Sequence, residues 1–153
     1  MVHDATFSEL YITSGGLNAN LDGSLVTGDK TIDLYYVTIA TGLEIDTGTG
    51  NDTVILDHVT QNSYHLKILT GDGADTVTLN SCKVNDLTVR LGAGNDSIHL
   101  NGVQGSTTSD IDGGDGYDQY FEGLGTHFTN GETLGSFEPF RLPPLKLNPY
   151  TGW

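Results

Sequence analysis

The stretch Thr47-Gly48-Thr49-Gly50-Asn51-Asp52-Thr53-Val54 (TGTGNDTV) sets two glycines, an asparagine and an aspartate directly before a β-branched apolar run. Read alone it is a tight turn entering a strand, because Gly, Asn and Asp favour turns while Thr and Val favour strands. The pattern recurs. TGDGADTV begins at Thr70, LGAGNDSI at Leu91 and GGDGYDQY at Gly113. The first glycines of the four G-x-G-x-D groups, Gly48, Gly71, Gly92 and Gly114, are 23, 21 and 22 residues apart. So regular a period is the mark of a solenoid, in which each repeat is one supersecondary unit stacked on the next.

The flanks repeat in the same register. Each turn is preceded by a short alternating segment, LEID at Leu43, LKIL at Leu66, LTVR at Leu87 and SDID at Ser109. Each is followed by another, TVILD, TVTLN, SIHLN and the weaker QYFEG. Period-two alternation sends Leu43/Ile45, Leu66/Ile68, Leu87/Val89 and Ile111 to one inner wall. Val54/Leu56, Val77/Leu79 and Ile98/Leu100 form the opposing wall, which Tyr120 continues. Two strands and two corners per repeat describe an all-β, parallel β-helix or β-roll with coils of about 22 residues, and continuous winding is expected to be right-handed. Outward Glu44 falls beside Lys67, and Arg90 beside Asp112, as cross-strand pairs that report register more than stability. At the second corner Asp57, Asn80 and Asn101 align as a structural ladder. Just past it stands Cys82, expected to be a small buried hydrophobe.

At the edges the pattern decays. TGDKTID at Thr27 reads as a fifth, degenerate turn with Gly28 in place, Lys30 at the second glycine and Ile32 at the aspartate. Residues 1–24 are expected to form an atypical N-terminal cap and 25–123 the solenoid, since array ends must cover a raw sheet edge. Periodicity stops after Gly123. The segment 124–153 carries Phe128, Phe137, Phe140, Tyr150 and Trp153 around RLPPLKLNPY, too apolar for a free linker. It is a capping or interaction segment, with a glycan, a protein partner or a sister chain as candidate occupants.

Composition narrows the function. The chain has 153 residues, enough for one domain with a sizeable core. Only 6 Lys and Arg oppose 20 Asp and Glu, giving a formal net charge of -14. That balance argues against nucleic acid or an anionic membrane as partner, both of which need a basic surface. Fifteen of the acids are Asp, which suits turns and hard-cation ligation better than helix surfaces. A single cysteine rules out an internal disulfide and a thiolate metal site. The N-terminus shows no basic start followed by an apolar run, and no stretch of about 18 apolar residues could span a membrane.

Glycine at alternate turn positions permits positive φ and turns carbonyl oxygens in directions other residues resist. An aspartate two positions later adds a carboxylate at the same corner. Stacked corners of this kind surround an all-oxygen site, which suits Ca2+ rather than zinc. Four carboxylates about 5 Å apart also repel one another unless cations or protons intervene.

These turns resemble the hemolysin-type (RTX) calcium-binding nonapeptide, G-G-x-G-x-D-x-U-x, where U is a large apolar residue. GGDGYDQYF at Gly113 matches throughout if Tyr120 serves as U; the others carry Thr47, Thr70 and Leu91 at the first glycine. The resemblance implies a right-handed β-roll with Ca2+ held between adjacent turns, usually in exported proteins. Position by position it implies Asp52, Asp75, Asp96 and Asp118 as carboxylate ligands. Carbonyls around Gly48 and Gly50, Gly71 and Gly73, Gly92 and Gly94, and Gly114 and Gly116 would complete the shells, with up to three ions in a row. The chain departs from that family in its coil of about 22 rather than about 18 residues and in carrying the motif at one edge only.

The expected function is therefore a calcium-binding structural or adhesive module, extracellular or at a cell surface. A carbohydrate-binding β-helix with metal-independent turns is the alternative. Catalysis is disfavoured, because the outward row Ile55, Thr78, His99, Phe121 offers a single base and the five histidines have no metal or triad spacing. Ice binding stands further off, since the turns lack a regular Thr and Asn array.

Overall fold

The computed structural model describes residues 9–17, 21–22, 27–40, 42–61 and 64–138, with side chains described from Leu21 onward. The expectations for residues 1–8 and for the distal tail, including Phe140, Tyr150 and Trp153, lie outside them. The described residues are all-β, in stacked coils of about 22 residues that form a parallel solenoid of about five turns. No helix among them is long and apolar enough to cross a membrane.

The chain begins with β1 (Glu9–Leu17) and β2 (Leu21–Asp22), followed by β3 (Thr31–Ile39) and β4 (Leu43–Asp46). Each later coil then repeats a medium, a short and a medium or long strand. These are β5 (Thr53–Asp57), β6 (Thr60–Gln61) and β7 (His65–Asp72), then β8 (Thr76–Asn80), β9 (Lys83–Val84) and β10 (Asp86–Gly94). The series continues with β11 (Ser97–Asn101), β12 (Gln104–Gly105) and β13 (Ser109–Gly116), then β14 (Gln119–Glu122), β15 (His127–Phe128) and β16 (Glu132–Gly135). One sheet runs β16-β13-β10-β7-β4-β2. The other runs β14-β11-β8-β5-β3-β6-β9-β12-β15, folded at β3, which pairs with both β5 and β6.

A third, two-residue strand per coil was not anticipated from two alternating segments. It follows a corner at which Tyr36, His58, Ser81 and Gly102 all adopt φ between +50° and +64°. That conformation is unusual for Tyr and Ser and turns the chain sharply, so the coil has a third side. Its inward residues Val59, Val84 and Val103 join the core. A two-residue strand is too short to show periodicity, so sequence alternation could not reveal it.

The two expected walls are present. Leu43/Ile45, Leu66/Ile68, Leu87/Val89 and Ile111 are buried opposite Val54/Leu56, Val77/Leu79 and Ile98/Leu100, and Tyr120 is half-buried beside them. Each step in the stack pairs like with like, as in Val54↔Val77 and Leu56↔Leu79. Cys82 is buried, donates to the Leu56 carbonyl, and has its thiol pushed up to about 11 by desolvation, which leaves it inert as a nucleophile.

Two sequence expectations are corrected, and strand pairing is found at both ends of the array. Arg90 lies in register with Asp112 yet makes its ion pair with Asp110, two residues along the neighbouring strand. Lys67 does pair with Glu44, at 2.8 Å. Asp57, Asn80 and Asn101 stack in register, but the coils are joined there by main-chain bonds, with the His58 amide donating to the Asn80 carbonyl, while the Asp57 carboxylate pairs with the His58 ring. Stacking also persists beyond Gly123, since β16 pairs with β13 through Ile111↔Leu134. Finally, within the segment expected to cap the N-terminus, β1 pairs in parallel with β3.

The G-x-G-x-D corner is set by backbone contact. A Cβ built on Gly73 would lie 1.8 Å from the Gly50 carbonyl oxygen, and one on Gly71 would lie 1.9 Å from the Gly48 oxygen. Both columns are therefore closed to any side chain, besides adopting positive φ. Gly28 has φ +93° but nothing near its would-be Cβ. Gly28→Ala should cost about 1–3 kcal/mol of backbone strain. Gly73→Ala must also displace a neighbouring coil, so urea denaturation should show a clearly larger loss or no folded state. Equal effects would mean that the glycines serve conformation alone.

Candidate metal centre

Each turn delivers its aspartate to the inside of the coil. Asp52, Asp75, Asp96 and Asp118 are 0–2 % exposed, although their neighbours Asn51, Ala74, Asn95 and Tyr117 face solvent. Each Oδ1 accepts a backbone N–H from the preceding coil. The Lys30 amide donates to Asp52 at 2.7 Å, Asp52 to Asp75 at 2.6 Å, Asp75 to Asp96 at 2.7 Å and Asp96 to Asp118 at 2.9 Å. These bonds are the turn-forming role of the aspartate, and they use one oxygen of each carboxylate.

The other oxygen is different. Oδ2 of all four aspartates is buried and meets no donor in ordinary hydrogen-bond geometry, although the Thr70 hydroxyl beside Asp75 acts to lower its carboxyl. Buried polar atoms without partners are uncommon, and an unpaired carboxylate oxygen is among the costliest. Four in one column at a one-coil spacing make this a feature of the repeat itself.

Protonation is one relief, and the electrostatics move in that direction. Burial is the largest influence raising the Asp75 carboxyl above its usual range. Burial, reinforced by Asp75 and Asp118, pushes Asp96 up to about 6.

An exposed column runs beside the aspartates. Asp29 Oδ1 accepts the Asn51 amide, Asn51 Oδ1 the Ala74 amide and Asn95 Oδ1 the Tyr117 amide. Asn in TGTGNDTV is thus a rung between coils, a role that sequence reading did not assign. One residue before the first glycine, Thr47 and Thr70 are buried and donate their hydroxyls to the carbonyls of Thr70 and Leu91 in the next coil. These threonines fill the interior and add bonds along the stack.

The degenerate turn is registered differently from the sequence expectation. Thr31 pairs with Thr53 and Ile32 with Val54, which puts Gly28 level with Gly50 and Lys30 level with Asp52. Lys30 therefore stands in the aspartate column, two positions from its expected place at the second glycine, and Ile32 belongs to the apolar wall. Matching the strand TID to TVI would have revealed it; matching the glycine did not.

All four predicted carboxylates and their eight glycines are brought to one edge. Among the described residues no three His, Cys, Asp or Glu side chains converge on a point. Any ion here would draw on two carboxylates and on main-chain carbonyls. Such a donor set, all oxygen and partly neutral, is of the kind that suits a hard cation over zinc. On the outer face His99 stacks on Phe121 at 4.4 Å, and Ile55, Thr78, His99 and Phe121 are in register as expected. Comparison with protein-family models, with curated proteins and with solved structures found no match.

The raised carboxyl gives a pH prediction for the chelated, calcium-free protein. A folded-state value near 6 against an ordinary unfolded value of about 3.9 means that the fold binds the proton more tightly. This contribution is complete below about pH 4 and lost as pH rises through 6. Calcium-free Tm, followed by circular dichroism, should fall by several degrees from pH 4.5 to 7, with a smaller fall in Asp96→Asn. A rise over that range would contradict it.

Proposed function

We propose that the chain is a calcium-binding structural or adhesive solenoid of a secreted or cell-surface protein, with ions held between successive G-x-G-x-D turns. The column of buried Oδ2 atoms without partners carries this reading. Asp52 with Asp75, Asp75 with Asp96, and Asp96 with Asp118 would each supply two carboxylates to one of three sites, with turn carbonyls alongside. The hemolysin-type resemblance of the motif agrees with it.

Calcium would supply the positive charge that lets these carboxylates stay ionised while buried. The protein's part is to hold the oxygens. Glycine columns keep adjacent turns in contact, the Oδ1 bonds orient each carboxylate, and the Asn rungs fix the outer side of the turn. Because the oxygens come from different coils, a bound ion clamps coil to coil, and its binding energy becomes folding energy. A module of this kind is a rigid spacer or display surface that is stable where calcium is plentiful, with dissociation constants on the order of 10⁻⁴ to 10⁻³ M.

The test is thermal unfolding after exhaustive chelation, then with Ca2+ or Mg2+ restored at about 10 mM. Ligand at about 100 times the dissociation constant adds about 2.7 kcal/mol per site, so calcium should raise Tm by roughly 5–10 °C for each tight site. Magnesium, which demands strict octahedral geometry and keeps its waters, should do much less. Asp75→Asn keeps the Oδ1 acceptor and removes the charge. It should retain the fold without calcium and lose most of the calcium response. No response in the parent chain, or an undiminished one in Asp75→Asn, would refute the reading.

A further inference from the structure

Lys30 is a buried cation among backbone oxygens, and its position reports on the whole column. Its side chain is fully inaccessible. Its Nζ donates to the Gly28 carbonyl at 2.5 Å and the Thr49 carbonyl at 2.7 Å, and lies 3.4 Å from Asp52 Oδ1. Two of these oxygens come from one coil's neighbour and one from its own, so the ammonium bridges two turns.

Those three oxygens recur by the register of the stack. Gly28 is level with Gly50, Gly73 and Gly94, since each later glycine's would-be Cβ meets the preceding one's carbonyl oxygen. Thr49 is level with Asp72, Ala93 and Asp115. Asp52 is level with Asp75, Asp96 and Asp118 through the common amide-to-Oδ1 bond. One coil further on, the same arrangement comprises the carbonyls of Gly50 and Asp72 and the Asp75 carboxylate. There the residue level with Lys30 is Asp52, whose Oδ2 has no partner.

We propose that Lys30 is a tethered counter-ion that fills, with its own ammonium, the first of four equivalent cation positions along the turn edge. The inference rests on the calcium reading of the other three. It assigns Lys30 two tasks: holding the first turn to the second at any calcium concentration, and limiting the column to three divalent ions. The first inter-turn step is then permanently clamped, which provides a folded end on which calcium-dependent coils stack.

The experiment counts ions by isothermal titration calorimetry, with native mass spectrometry as a check, on the full chain and two variants. The parent chain is expected to bind three Ca2+. Lys30→Asp restores an unbroken aspartate column and is expected to bind four, with the first coil now needing calcium. Lys30→Met keeps the length and removes the charge; it should bind no more than three and show a lower Tm in chelator.

Three ions in both the parent and Lys30→Asp would overturn the counter-ion role while leaving the calcium reading intact. A parent chain that binds none would overturn the calcium reading and this inference with it. If Lys30→Asp does not fold even in calcium, Lys30→Met decides. A calcium-free Tm equal to that of the parent would show that the ammonium clamps nothing.

Discussion

The close approach of stacked glycines governs this molecule. At the turn edge, the α-carbon of each second glycine rests against the carbonyl oxygen of the glycine one coil below. Any Cβ there would stand only 1.5–2.4 Å from that oxygen. This contact lets the turns follow the spacing of the parallel strands, about 4.8 Å. It also lines up everything else in the repeat, including the apolar walls, the Asn rungs and the aspartates. A solenoid is stabilised by nearest-neighbour interfaces, so a contact repeated at every step counts once per coil.

The same alignment creates an electrostatic problem. Four carboxylates buried one above another can each give one oxygen to a backbone amide, and that leaves a second oxygen without a partner. Burial above all, and neighbouring carboxylates to a lesser degree, raise Asp75 and Asp96 toward protonation. A cation between coils, as proposed, would solve the problem at physiological pH. At the N-terminal step the chain carries its own cation, Lys30, against equivalent oxygens. On the proposed reading, the tethered ammonium and the bare oxygens express one requirement, met covalently at one step and by a mobile ion at the others.

Much of this was legible in the sequence because the repeat is written in residues that have few alternative uses. Glycine pairs 21 to 23 residues apart, each followed by an aspartate, specify the period, the strands that flank the turn and the aspartate column. Alternation identified the buried walls correctly, residue by residue, from Leu43 to Ile111. The third side escaped because Val59 and Gln61, or Cys82 and Val84, make too short a run to show a period. Its sharp corner at His58 and Ser81 uses positive φ without glycine. Lys30 was misplaced because the degenerate turn retains one glycine of the pair, and either alignment satisfies it. Only the strand register, Thr31 on Thr53, decides. Charge pairs were the least legible: Arg90 reaches the diagonal Asp110 instead of Asp112, since a long side chain can choose among neighbours.

The central claim is that the buried aspartate column is a cation column. It is tested most directly by growing crystals in millimolar Ca2+ and recording anomalous diffraction at long wavelength. The account predicts up to three anomalous peaks in line along the turn edge, between Asp52 and Asp75, Asp75 and Asp96, and Asp96 and Asp118. The Lys30 step should show none. Density confined to surface carboxylates such as Asp72 and Asp115, with the inner column bare, would contradict it.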